Sequence, residues 1–164
     1  MIKLARILRL ISLAMLFGGG AAIVFAVITL VHVAVASGVP RNEAAAANAP
    51  IFIEFAKVAA VFAFTLVVAE AVEIKGDLKN LEKKKRWPMA RYFASVICAV
   101  ATFIFAFAIV PPMKELLPSL KTNPDAKAQF DKMHETSRLI FSTTIVFALA
   151  SLVIPVLALP KQVD

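Results

Sequence analysis

Four apolar runs, Leu10–Ala36, Ile51–Ile74, Met89–Val110 and Leu139–Leu159, constrain this chain more than any other feature, and charge-rich segments separate them. Each is about 20 residues or more, enough for a helix to cross a hydrocarbon core about 30 Å thick. The reading is an all-α, four-transmembrane-helix bundle. Hydrophobic residues make up 60% of the chain, outside the usual soluble range. With 164 residues and four runs, little remains for a separate soluble domain, so residues 1–164 read as a single integral membrane domain. Its spans fall at about 10–36, 51–74, 89–110 and 136–159.

The formal net charge of +7 would suit a nucleic-acid binder, but the basic residues crowd at the ends of the apolar runs. That placement suits anionic lipid headgroups, and no nucleic-acid partner is expected. Cys98, the single cysteine, sits within the third run and reads as a small packing residue. Lys3, Arg6 and Arg9 precede the first run, and Ala34–Val35–Ala36 resembles a signal-peptide cleavage site. The apolar stretch between them is far longer than the 7–15 residues of a signal core, so a retained span is expected.

Lysine and arginine in short loops favour the cytoplasmic side. The N-terminal segment carries Lys3, Arg6 and Arg9, and the second loop carries Lys75, Lys79, Lys83, Lys84, Lys85 and Arg86. The first loop has only Arg41, and the third balances its lysines with acids. Both termini are therefore expected in the cytoplasm of a multi-pass protein of the bacterial inner (cytoplasmic) membrane or its equivalent.

Local signals divide the chain further. Gly18, Ala22, Ala26, Thr29 and His32 share one helical face, which reads as a helix-contact stripe. Asn42–Ala47 reads as a short helix capped by Asn42, with a bend at Pro50 before span two. Span two is expected to continue as a helix as far as Lys84. Trp87–Pro88 opens span three and Pro111–Pro112 closes it. Asn123–Pro124–Asp125 is a strong helix start: a capping Asn, a first-turn Pro and an acid. It predicts a long fourth helix that extends outside the membrane before entering it. The face of Phe130, His134, Ser137, Phe141, Thr144, Ala148, Ser151 and Pro155 is expected to meet the bundle.

Ionisable residues at membrane depth are costly and mark candidate sites. His32, Glu54, Lys57, His134, Glu135 and Arg138 gather near the outer boundary, beside Ser137. Glu54 and Lys57, three apart on a helix, are placed to pair. The plain reading of this group is an interfacial polar network. The sharper one has His32 and His134, on two different helices, binding a transition metal or haem iron. Glu70 and Glu73 form a second group at the inner end of span two. They either pair with Lys75, Lys79 or Arg91, or face a cavity and carry protons. Phosphate-loop, dinucleotide, zinc-protease and serine-hydrolase motifs are all absent, so an enzyme is not expected.

The Gly-rich first span LFGGGAAIVFAVITL, the proline-terminated FAIVPPMKEL and the stretch FDKMHETSRLIF, with Phe130, His134 and Ser137, resemble the transmembrane-protein-205-like family. Its bacterial members carry a domain of unknown function. Copper-resistance D-like membrane proteins are a more distant resemblance. The likeness covers most of the chain and implies a four-span architecture; eukaryotic relatives are linked with resistance to metal-containing drugs. The functional expectation is a non-enzymatic binding or accessory subunit that self-associates or joins a larger membrane protein complex in the lipid bilayer. The alternatives are a metal- or haem-binding protein using His32 and His134, or a small ion or metal transporter with Glu70 and Glu73 on its path.

Overall fold

The computed structural model describes residues 1–78, 86–120 and 122–157. These residues form helices joined by short turns, with no strand among them. Helix α1 covers Ile2–Ala36 and widens into a π-turn at Met15–Gly19. Helix α2 is Arg41–Leu78. Helix α3 begins as Arg86–Phe103, widens at Ile104–Ile109, and continues through Val110–Leu116 into a 3-10 turn at Leu117–Ser119. Helix α4 is Pro124–Leu157. All four are long and apolar enough to cross a membrane. They pack as the expected bundle, with α4 against α3 and the first part of α1 against α2. The expected extension of span two to Lys84 falls outside the described residues.

Small side chains let the helices approach closely. Ala56, Ala59, Ala63 and Leu66 place one buried stripe of α2 against Leu13 and Leu16 of α1, Cys98 and Ala99 of α3, and Ala148 of α4. The glycines of α1 serve the same purpose. A Cβ on Gly20 would sit 3.2 Å from Ile145 Cγ1, and one on Gly19 would sit 3.3 Å from Phe55 Cε2. The outer surface is the reverse of a soluble protein's: Phe25, Phe64, Phe93, Phe107 and Leu139 all point outward. Such a surface suits hydrocarbon, where apolar exposure carries no penalty.

The contact stripe expected on α1 is not used within the chain. Gly18, Ala22, Ala26, Thr29 and His32 are all exposed, while Ala5, Arg9, Ser12, Leu13, Leu16 and Gly20 form the buried side. The packed side keeps one helical period through the π-turn, from Leu13, Leu16 and Gly20 to the half-buried Ile23, Val24, Val27 and Val31, and the small-residue stripe lies about two residues out of register with it. From Gly20 to Ala36 only Gly20 is buried.

Three prolines act differently from expectation. Pro50 does not separate a short helix from span two: Arg41–Leu78 is one helix with Pro50 inside it. Pro111–Pro112 does not end α3. Both fall in the first turn of Val110–Leu116, directly after the π-turn, where proline is tolerated. Gly38, with φ of +89°, ends α1 instead. Its N–H donates to the Val35 carbonyl at 3.0 Å, and the Val39 N–H donates to the Ala34 carbonyl at 3.0 Å, the Schellman arrangement.

The start of α4 is as expected. Asn123 Oδ1 accepts from the Asp125 N–H at 2.9 Å and from the Ala126 N–H at 3.3 Å. Removing this cap by Asn123→Ala is expected to lower stability by about 1 kcal/mol, measured as a reduced unfolding midpoint in detergent. The buried side of α4 also follows the sequence pattern, with Ser137, Phe141, Thr144, Ala148 and Ser151 inside.

Candidate functional site

Glu70 and Glu73 are three residues apart on α2, so both carboxylates project toward the same side of the bundle. There they meet side chains from every other helix. Glu73 is held at both oxygens: Arg9 Nε donates to Oε1 at 3.0 Å and Arg91 Nη1 donates to Oε2 at 2.9 Å. Arg6 Nε adds an ion pair at 3.9 Å from the more exposed rim. Glu70 Oε1 accepts from Ser95 Oγ at 2.6 Å, and Arg91 Nη2 lies 3.3 Å from Glu70 Oε2. Ser95 and Ser151 hydroxyls are 2.6 Å apart. Ser95 has one proton and gives it to Glu70, so Ser151 is the donor to Ser95.

This cluster is deeply buried. Both glutamates expose only 5% of their side chains, Arg9 exposes 7% and Arg91 9%. Two arginines balance two carboxylates, so the buried group is neutral as a whole. One guanidinium, Arg91, bridges both glutamates and also lies 4.2 Å over the Tyr92 ring centroid. Its planar fork suits this bridging in a way a lysine ammonium would not.

Of the partners weighed from sequence, Arg91 is the one used; Lys75 is exposed, and Lys79 lies outside the described residues. Arg9 was read only as an N-terminal headgroup charge, yet it is the second cation of the cluster. Its signal was phase: Arg9 falls in register with Ala5, Ser12, Leu13 and Leu16 on the buried side of α1. Ser95 has a similar signature, lying between Arg91 and Thr102 on a buried line of α3 that includes Cys98 and Ala99.

At the opposite end the helices separate around a crevice of about 1590 Å³. Its depth is apolar, and its floor is an aromatic cluster centred on Phe141. That ring lies 4.9 Å from Phe105, 5.9 Å from Phe55 and 6.0 Å from Phe52 between centroids, the last two edge-on. His32, Arg41, Lys127, Asp131, His134 and Arg138 are among the polar residues lining it. His134 stacks on Phe130 with the rings 3° from parallel. Ser137 Oγ donates to the His134 carbonyl at 2.7 Å, which occupies the hydroxyl with its own helix.

His32 and His134 thus share the crevice, together with Ser137 and Arg138. Glu54 and Lys57 do not join them. They pair with each other, Lys57 Nζ donating to Glu54 Oε1 at 2.6 Å and to Oε2 at 2.7 Å, on an exposed face of α2. The single polar network expected at this end is therefore divided into a crevice group and a separate surface ion pair. Among the described residues, no group of three or more His, Cys, Asp or Glu is placed to hold a metal ion. Comparison of the chain with protein-family models, curated protein sequences and solved structures finds no match.

Proposed function

We propose that this chain is a non-enzymatic, multi-pass membrane protein of the bacterial inner membrane or its equivalent. In this reading it is an accessory subunit that binds a membrane-embedded helix, either from another protein or from a second copy of itself. The cluster of Arg9, Glu70, Glu73 and Arg91 fastens one end of the bundle, and the other end receives the partner. One observation carries this: Gly20 is the one fully buried residue of the segment Gly20–Ala36 of α1, which packs on its own chain through half-buried residues such as Ile23 and Val24 and leaves its other side open. Ala22, Ala26 and Thr29 lie exposed along it, and small residues at this spacing favour close packing of a second helix. The basic second loop supports a cytoplasmic position for the ion-pair end and an outward one for the crevice.

Site-specific photocrosslinking in native membranes tests the proposal. A photoreactive residue at Ala26 is expected to give one discrete crosslinked product, whereas one at the lipid-facing Phe93 gives none. A lone monomer from both positions would contradict it.

The shared crevice favours a second reading, in which His32 and His134 hold a metal or haem iron. Two imidazoles suffice in number for axial ligation of haem. They fall short of the four ligands of a closed structural zinc site. A Soret band or bound metal lost in both His32→Ala and His134→Ala would support this reading; its absence in wild type would leave the histidines structural. A transporter with a route through the bundle has less support, because Cys98 and Ala148, in the core of α3 and α4, are fully buried.

A further inference from the structure

The two buried glutamates are not equivalent. Each oxygen of Glu73 accepts a hydrogen bond from an arginine. Glu70 accepts a hydrogen bond at Oε1 only, from the Ser95 hydroxyl; its Oε2 has no hydrogen-bond partner among the described residues, although Arg91 Nη2 is 3.3 Å away as an ion pair. Among the described residues, Arg9 Nη1 and Ser12 Oγ are the other buried side-chain polar atoms without a hydrogen-bond partner. Glu70 and Ser95 also line a cavity of about 180 Å³ between α2 and α3. Its other walls are apolar, and Val67, Ala71 and Val96 are exposed at its mouth on the outer, lipid-type surface of the bundle.

We infer that Glu70 is a proton-binding site, reached from the bilayer side between α2 and α3 and distinct in role from the structural carboxylate Glu73. The proton settles on Oε2, the oxygen without a hydrogen bond, while Oε1 keeps the bond from Ser95. The groups that set its occupancy come from each packed helix: Arg9 and Arg6 from α1, Glu73 from α2, Arg91 and Tyr92 from α3, and the Ser151 hydroxyl from α4. Protonation removes one negative charge from a neutral cluster, so Arg91 is left with Glu73 as its one charged partner. The site thereby gives the fastened end of the bundle a response to proton availability.

Carbodiimide labelling of the full chain in nanodiscs tests this. A protonated carboxyl gives its proton to a carbodiimide nitrogen while its oxygen bonds to the central carbon, so only the protonated form reacts. With the hydrophobic reagent dicyclohexylcarbodiimide, peptide mapping is expected to find the adduct on Glu70 in at least about tenfold excess over Glu73. Labelling should fall about tenfold per pH unit above its midpoint, as the protonated fraction does. A water-soluble carbodiimide should label Glu70 far less. Absence of a Glu70 adduct, equal labelling of Glu73, labelling that ignores pH, or equal reaction with the water-soluble reagent would each overturn the inference. Wild-type protein supplies every readout, so no variant needs to fold.

Discussion

Arg91→Ala is expected to destabilise the protein by about 3–5 kcal/mol, the range for removing one partner from a buried ion pair. The magnitude follows from position. Arg91 contacts both Glu70 and Glu73, and its loss leaves Glu70 with no ion-pair partner and Glu73 with Arg9 and the more distant Arg6, where each carboxylate side chain is 5% exposed. Neither has water to replace the guanidinium. The measurement is the unfolding free energy of the purified protein in detergent, compared with Lys57→Ala. Lys57 forms a shorter contact, 2.6 Å, but with both partners about two-thirds exposed. Its removal is expected to cost no more than about 1 kcal/mol. Adding Glu70→Gln to Arg91→Ala removes the stranded charge and is expected to recover part of the loss. Equal effects of Arg91→Ala and Lys57→Ala, or no recovery in the double variant, would count against the cluster as the fastening of the bundle.

The second large effect is expected at Phe141. Its ring is the meeting point of Phe52, Phe55 and Phe105 and forms the boundary between crevice and core. Phe141→Ala is expected to cost about 3–5 kcal/mol, mostly as lost packing around a void. Aromatic pairs add about 0.5–1.5 kcal/mol beyond area, which the alanine also forfeits. Phe141→Leu keeps most of the volume and is expected to cost less than about 1.5 kcal/mol. Chemical or thermal unfolding of both variants checks the order; a Phe141→Ala protein as stable as wild type would show that the aromatic floor does not hold the helices.

Much of the architecture was legible because a membrane simplifies the code. Length and apolarity identify four helices, and the Asn123–Pro124–Asp125 start and the buried side of α4 follow from local rules. The differences lie where local composition does not decide the packing. On α1 small residues suggest a contact face, yet the branched Ile23, Val24, Val27 and Val31 lie half-buried on the packed side and the small-residue stripe points outward. A π-turn precedes Pro111–Pro112 and lets α3 continue through them. Pro50, read as a bend, is carried inside α2. For the site, Glu70 and Glu73 stood out because acids at membrane depth are costly. Arg9 did not, since a cation near a span end reads by default as a headgroup partner. Choosing between those roles requires knowing which side of α1 packs against α2, and that is a tertiary fact. His32 and His134 line one crevice from two helices, while Glu54 and Lys57, at similar height, face away and pair with each other.

The most direct measurement uses the protein's own silent thiol. Cys98 is fully buried, so single cysteines placed at the exposed Lys3 and Thr122 report alone to a membrane-impermeant maleimide on intact cells. Thr122→Cys, at the turn between α3 and α4, is expected to react from outside, and Lys3→Cys only after the membrane is opened. Reaction of both from the same side would contradict a four-span chain with its arginine-clasped end in the cytoplasm and its crevice facing out.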